Sequence, residues 1–270
     1  MDCKRNAPRW AAVAVALVAS VATPALAQEK GGEWLLTIGA GAQVFPNYPG
    51  AEDRGVFPLP LLSFRRAGEP LPVKAPDDGL AFGVIRFLGD DSVFDFGPVL
   101  TFQNKRDPEL VGAAVPRVDT TVEAGGFVQA YVIPELRIRA EGRFGLGGHH
   151  GFVGSVGADC VYRTQDAVVT IGPRARFSNK AYQDAYFSVS GPVATTTGLS
   201  AFDADGGLHA IGMIFGTTWQ FSRDWGLYGY AGYDRLAGDA QNSPIVRKFG
   251  DADQFSAGIG ITYSFGIGRF

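Results

Sequence analysis

Apolar and polar positions along this chain alternate with a period of two, repeatedly, in stretches roughly ten residues long. The clearest is 255–265, where Phe255, Ala257, Ile259, Ile261, Tyr263 and Phe265 fall on one side. Ser256, Gly258, Gly260, Thr262 and Ser264 fall on the other. Elsewhere the second side is charged. Leu136, Ile138, Ala140, Phe144 and Leu146 oppose Arg137, Arg139, Glu141 and Arg143. Val169, Ile171, Ala175 and Phe177 oppose Thr170, Arg174 and Arg176, and Phe94, Phe96, Leu100 and Phe102 oppose Asp95, Thr101 and Gln103. Successive side chains of a strand point to opposite faces, so these stretches read as β-strands with one apolar and one polar face. Beyond residue 28 no stretch keeps a helical period, and none holds 18 consecutive apolar residues.

The pattern predicts twelve strands, at about 34–44, 57–66, 70–75, 80–88, 93–103, 119–133, 136–147, 152–163, 167–178, 207–221, 225–236 and 255–265, the third being the weakest. Connections after even-numbered strands are short, as at Pro134-Glu135. Those after the first, fifth, ninth and eleventh are long: 45–56, 104–118, 179–206 and 237–254. A soluble sandwich would bury its apolar face and wet its charged one, whereas a membrane barrel turns the apolar face to lipid. Alternation alone does not choose between them. Short turns on one side, long loops on the other and an even strand number fit a transmembrane antiparallel up-and-down β-barrel of about twelve strands, closed so that no edge meets lipid.

Composition narrows the classes further. Among 270 residues, 46% are hydrophobic, 12% aromatic and only 19% charged, which excludes a disordered chain. A net charge of −3 leaves no basic footprint for nucleic acid. The first 27 residues read as a secretory signal peptide: Lys4, Arg5 and Arg9 precede the apolar run 11–21, and Ala25-Leu26-Ala27 sets a cleavage between Ala27 and Gln28. The barrel then occupies 28–270. Cys3 leaves with the leader, so Cys160 stands alone. Asp159 is costly in hydrocarbon and should face inward, which turns Cys160 to lipid, where its thiol is inert.

The same parity places Asp95, Glu123, Arg137, Arg139, Glu141, Arg143, Asp159, Arg174 and Arg176 in the barrel lumen. Two readings of that lumen are open: a selectivity ladder in a small pore, or a salt-bridged plug. Trp34, Trp219, Trp225, Tyr228, Tyr230 and Tyr233 lie near strand ends and read as an interfacial aromatic girdle. The loop 179–206, with Tyr182, Tyr186, Phe187 and Phe202, is too apolar to be solvated, and should fold inward or pack over the mouth. His149-His150 lacks the neighbours of a metal site or a nucleophile, and reads as a polar extracellular turn. No catalytic, metal or cofactor site is expected.

Several short elements, in order, resemble the MipA/OmpV family of outer-membrane proteins. They are Asn47-Tyr48-Pro49-Gly50-Ala51, Pro58-Leu59-Pro60, Gly97-Pro98, the His pair within Gly147-Gly148-His149-His150-Gly151, Gly172-Pro173, Tyr182 with Tyr186-Phe187, Asp203-Ala204-Asp205-Gly206-Gly207, Ser243-Pro244-Ile245-Val246 and the closing Tyr263-Ser264-Phe265. The last of these resembles the C-terminal signature read by the barrel-assembly machinery, although the chain runs on to Phe270. The resemblance implies a barrel in the cell outer membrane of Gram-negative type, in contact with its lipid and without a cofactor. It implies a scaffold joining a lytic transglycosylase to a murein synthase, with a small diffusion pore or an adhesin as the alternative.

Overall fold

The computed structural model describes residues 34–81, 83–84 and 93–268. The leader, its Ala27/Gln28 junction and Phe270 lie outside the described residues. Eleven antiparallel strands form one sheet: β1 (Trp34–Pro46), β2 (Arg54–Arg66), β3 (Leu80–Ala81), β4 (Phe94–Gln103), β5 (Thr121–Ile133), β6 (Leu136–Gly147), β7 (Phe152–Arg163), β8 (Ala167–Ser178), β9 (Gly207–Gln220), β10 (Trp225–Leu236) and β11 (Asp253–Gly266). Among the described residues each strand pairs with its neighbours in sequence except β2 with β3, and β1 pairs with β11, so the sheet curls into a nearly closed barrel.

Alternate residues face outward. Ile138 is 43% exposed while its neighbour Arg137 is 1% exposed. Phe94, Phe96, Val128, Val156, Ile171, Met213, Phe215, Ile259 and Ile261 are also exposed on the outside, forming the apolar wall of a barrel that crosses a membrane. Turns of two to four residues join β5 to β6, β7 to β8 and β9 to β10 at one mouth. Long loops leave the other mouth and carry five short helices: α1 (Pro108–Val111), α2 (Lys180–Tyr186), α3 (Gly191–Thr197), α4 (Gly238–Asn242) and α5 (Pro244–Phe249). Asn179 caps α2 by accepting the Tyr182 amide, and Ser243 caps α5 by accepting that of Ile245.

Among the described residues eleven strands are found, close to the twelve or so expected. The difference is the segment at 70–75, which joins no strand and instead runs into the barrel, where Val73 and Ala75 are buried. Pro70, Pro72 and Pro76 remove amide donors there, all along one edge, which disfavours a place inside the sheet. Of the expected strand 80–88 the sheet takes Leu80–Ala81, and residues 82 and 85–88 lie outside the described residues.

Among the described residues no ladder joins β2 to β3. β2 is suited to that position. Pro58 and Pro60 lie opposite Ala42 and Ala40, and an antiparallel ladder alternates pairs that exchange hydrogen bonds with pairs that do not. Proline has no N–H to exchange, so Pro58 and Pro60 occupy the non-bonded pairs. Their nitrogens therefore point away from β1, and the outer edge of β2 lacks two donors.

Candidate functional site

The chemistry of this barrel is concentrated on the buried faces of β5 to β8. Arg137 lies at its centre. Its Nε and Nη2 donate to Asp159 Oδ2 at 3.0 and 2.7 Å, while Nη1 and Nη2 donate to Asp78 at 2.6 and 3.1 Å. Arg174 grips Asp77 with two bonds, Nε to Oδ2 at 2.8 Å and Nη2 to Oδ1 at 3.0 Å, and reaches Asp159 Oδ1 at 2.8 Å. Arg176 joins Asp77 at 3.2 Å to Asp234 on β10 at 3.0 Å. Arg139 donates to Glu141 at 2.6 Å and to Gln129 at 3.2 Å, lies 3.3 Å from Asp78, and stacks 3.7 Å above the Phe127 ring.

A second cluster lies nearer the loops. Glu123 accepts from Arg143 Nε at 2.8 Å and from Thr101 at 2.9 Å, and Arg143 also pairs with Glu141. His149 joins it from the turn after β6. Its Nδ1 accepts the Gly151 amide at 3.0 Å, so Nε2 carries the proton and donates to Glu123 at 3.0 Å. Gly145 leaves room for that ring, since a Cβ there would lie 2.2 Å from His149 Cε1. Asp95 is buried on β4, accepting the Phe96 amide at 2.9 Å.

Burying so many charges is tolerable because each is matched. Desolvation costs several kcal/mol per ion, and attraction together with hydrogen bonds returns most of it. Such an arrangement specifies geometry more than it stabilises. Among the described residues no group of three or more His, Cys, Asp or Glu is placed to hold a metal ion.

Several participants were not legible beforehand. Asp77 and Asp78 sit between the segments 70–75 and 80–88 expected as strands. Their register cannot be read locally, although a carboxylate pair after Pro76 is an unusual end for a strand. Asp234 shares parity with Tyr228 and Tyr230, which corrects the girdle expectation for those tyrosines. Tyr228 is buried, and the Tyr230 hydroxyl donates to Gln43 at 2.8 Å. Trp219 and Trp225 are exposed near the β9–β10 turn. His149 is 3% exposed, not a surface residue of a polar turn, whereas His150 is exposed with φ 45. Cys160 is exposed on the outer face of β7, opposite Leu136 and Ile171.

The loop-side mouth is covered by an apolar cap. Tyr182, Tyr186 and Phe187 of the 179–206 loop pack with Val118, Val153, Leu236 and Val246, and Tyr48, Val111, Val189 and Ile245 form an adjoining cluster. Tyr182 stands edge-on to His149 with ring centroids 4.9 Å apart. Arg106 is buried in this cap. It donates to the Tyr186 and Pro116 carbonyls at 2.7 and 3.0 Å, and burial brings its pKa down to about 10. The same burial raises the Tyr186 phenol above its usual value.

A model of the family described as MltA-interacting protein MipA matches residues 38–265, and the chain belongs to that family. No curated protein matches it in sequence. Solved outer-membrane barrels resemble it distantly. The KdgM porin shares 10% identity over 85% of this chain and 99% of its own, with a TM-score of 0.31. OmpT of Vibrio cholerae shares 9% over 89% and 99%, with a TM-score of 0.30. The monoaromatic hydrocarbon channel CymD shares 10% over 90% of each chain, with a TM-score of 0.34.

Proposed function

We propose that this member of the MipA family sits in the cell outer membrane and serves as a non-enzymatic, non-conducting adaptor for murein-remodelling enzymes, a lytic transglycosylase together with a murein synthase. In this reading the leader is removed between Ala27 and Gln28. Asp95, Glu123, Arg137, Arg139, Glu141, Arg143, Asp159, Arg174 and Arg176 then line a lumen that is filled, not open. The observation that carries the reading is that filling: the charges pair with one another and with Asp77 and Asp78, while the cap covers the far mouth. A barrel whose interior is occupied by its own side chains is suited to act through its surfaces, and the family description itself names an interaction with MltA.

Two measurements on the purified barrel test this together. Detergent-solubilised protein should retain a lytic transglycosylase on an affinity column, and planar bilayers containing it should stay electrically silent. Stable ion steps from the unmodified protein, with no transglycosylase retained, would replace the adaptor by a diffusion pore.

A further inference from the structure

Residues 70–79 form a strap that belongs to the barrel's interior but not to its wall. The strap enters from the mouth that carries the short turns and takes no part in any ladder. Its ordering bonds are partly its own: the Ala75 amide donates to Asp78 Oδ2 at 2.8 Å, and the Asp78 amide to the Ala75 carbonyl at 3.1 Å. Its apolar anchorage is Val73 and Leu71 beside Val161, Val168 and Tyr131, the buried Ala75, and Pro76 over Gly216. What fixes it in place is the seating of Asp77 and Asp78 on four arginines of β6 and β8.

Those arginines do not need the strap to be held. Arg137 and Arg174 share Asp159, Arg139 has Glu141, and Arg176 has Asp234. Without the strap, however, Arg174 loses its two-bonded partner and Arg137 its second carboxylate, which leaves donors of both guanidiniums free for another acceptor. Arg174 lies flat on the wall over Gly157, where a Cβ would come within 2.7 Å of Nη1. Its two parallel bonds to Asp77 are the fork geometry by which guanidinium recognises a carboxylate or a phosphate. The ladder begins at Arg137, just inside the Pro134-Glu135 turn, so it opens toward the turn-side water once the strap is away.

We infer that Arg137, Arg139, Arg174 and Arg176 form a binding site for small oxyanions, carboxylate or phosphate. Asp77 and Asp78 occupy it as an internal stand-in for the ligand. An anion arriving from the turn-side mouth competes with the strap and displaces it. The cap stays shut, so the site is a blind pocket. The inference is independent of the adaptor reading, because it concerns what the interior binds and not what the surface recruits.

The test uses the whole barrel in detergent, with inorganic phosphate as probe and chloride at matched ionic strength as reference. In a Cys160→Ser background, Val73→Cys places a thiol on the buried strap. Phosphate should raise its labelling by a polar maleimide several-fold over chloride, and malonate should do the same. Calorimetric titration of a variant with 71–78 replaced by a Gly-Ser linker should show phosphate binding at least about tenfold tighter than to the barrel that keeps its strap, where Asp77 and Asp78 compete. Adding Arg174→Gln to that variant should weaken binding about tenfold, as expected for losing a charge-assisted pair. Labelling that ignores phosphate overturns the inference, as does linker-variant binding that survives Arg174→Gln. Failure of the linker variant to assemble a heat-modifiable barrel would also overturn it, because the strap would then be part of the wall. Transglycosylase retention is unaffected by any of these outcomes.

Discussion

At the turn-side mouth the strap 70–79 is held by carboxylates on arginines, with Val73 as its main apolar contact. At the loop-side mouth the closure is Tyr182, Tyr186, Phe187 and Leu236 in a small apolar core, and the buried cation there, Arg106, faces no carboxylate: Nη1 and Nη2 donate to carbonyls and Nε has no partner. The two plugs obey different physics. Apolar contacts are non-directional and have no soluble competitor. Ion pairs are directional and exchangeable, since any small anion offers the same atoms. The cap is therefore the permanent closure and the strap the replaceable one.

Breaking the ionic side should have the largest effect. Arg137→Ala leaves Asp78 and Asp159 buried without their shared partner, and should cost about 3–5 kcal/mol in urea unfolding from detergent. Replacing all three, as Arg137→Met with Asp78→Leu and Asp159→Leu, should return most of that loss. If the triple variant were as unstable as Arg137→Ala, the ionic side would be contributing stability of its own.

On the apolar side, Phe187→Ala should cost about 3 kcal/mol, read as faster proteolysis within 179–206. Unfolding of the barrel itself should move little, and a matching loss there would show that cap and wall unfold as one unit. Gly145→Ala tests where the two sides meet. Its methyl displaces the His149 ring from Glu123, at a cost of about 1–3 kcal/mol. Gly145→Ala combined with His149→Ala should recover part of this, and no recovery would place the strain elsewhere.

The smallest effect belongs to the outer face. Cys160→Ser should change stability by less than about 0.5 kcal/mol, as for an exposed position away from special features. In bilayers an apolar maleimide should label Cys160 and a membrane-impermeant one should not. Rapid labelling by the impermeant reagent would mean that this face of β7 meets water.

Strand positions and their inward or outward parity were legible because a half-buried strand writes its faces into alternate residues, as in Arg137 against Ile138. The strap misled for the same reason. Leu71, Val73 and Ala75 do alternate, and Val73 with Leu71 packs on the wall, but the segment, with prolines at 70, 72 and 76, enters no ladder. Tyr228 and Tyr230 could have been placed inside by counting in twos from Asp234. The pairing of Glu123 with His149 was out of reach, because it depends on the register of β5 against β6 and on the backbone turn through His150. Helices of four to seven residues show no periodic signal, so the loops declared their burial only through their aromatics.

The ladder between β1 and β11 also has a consequence in time. Trp34 donates to the Gly268 carbonyl at 3.0 Å and accepts from the Ile267 amide at 2.9 Å, so the first strand of the ring is sealed by the last. A chain delivered from its N-terminus must hold β1 in waiting until every other strand has arrived. The early partner available to it is β2, and the β1–β2 hairpin carries Pro58 and Pro60 on its outward edge. During that wait the prolines discourage recruitment of a stray strand or a second nascent copy on one flank of the hairpin. The other flank stays open for β11, which gives ring closure a direction before there is a ring.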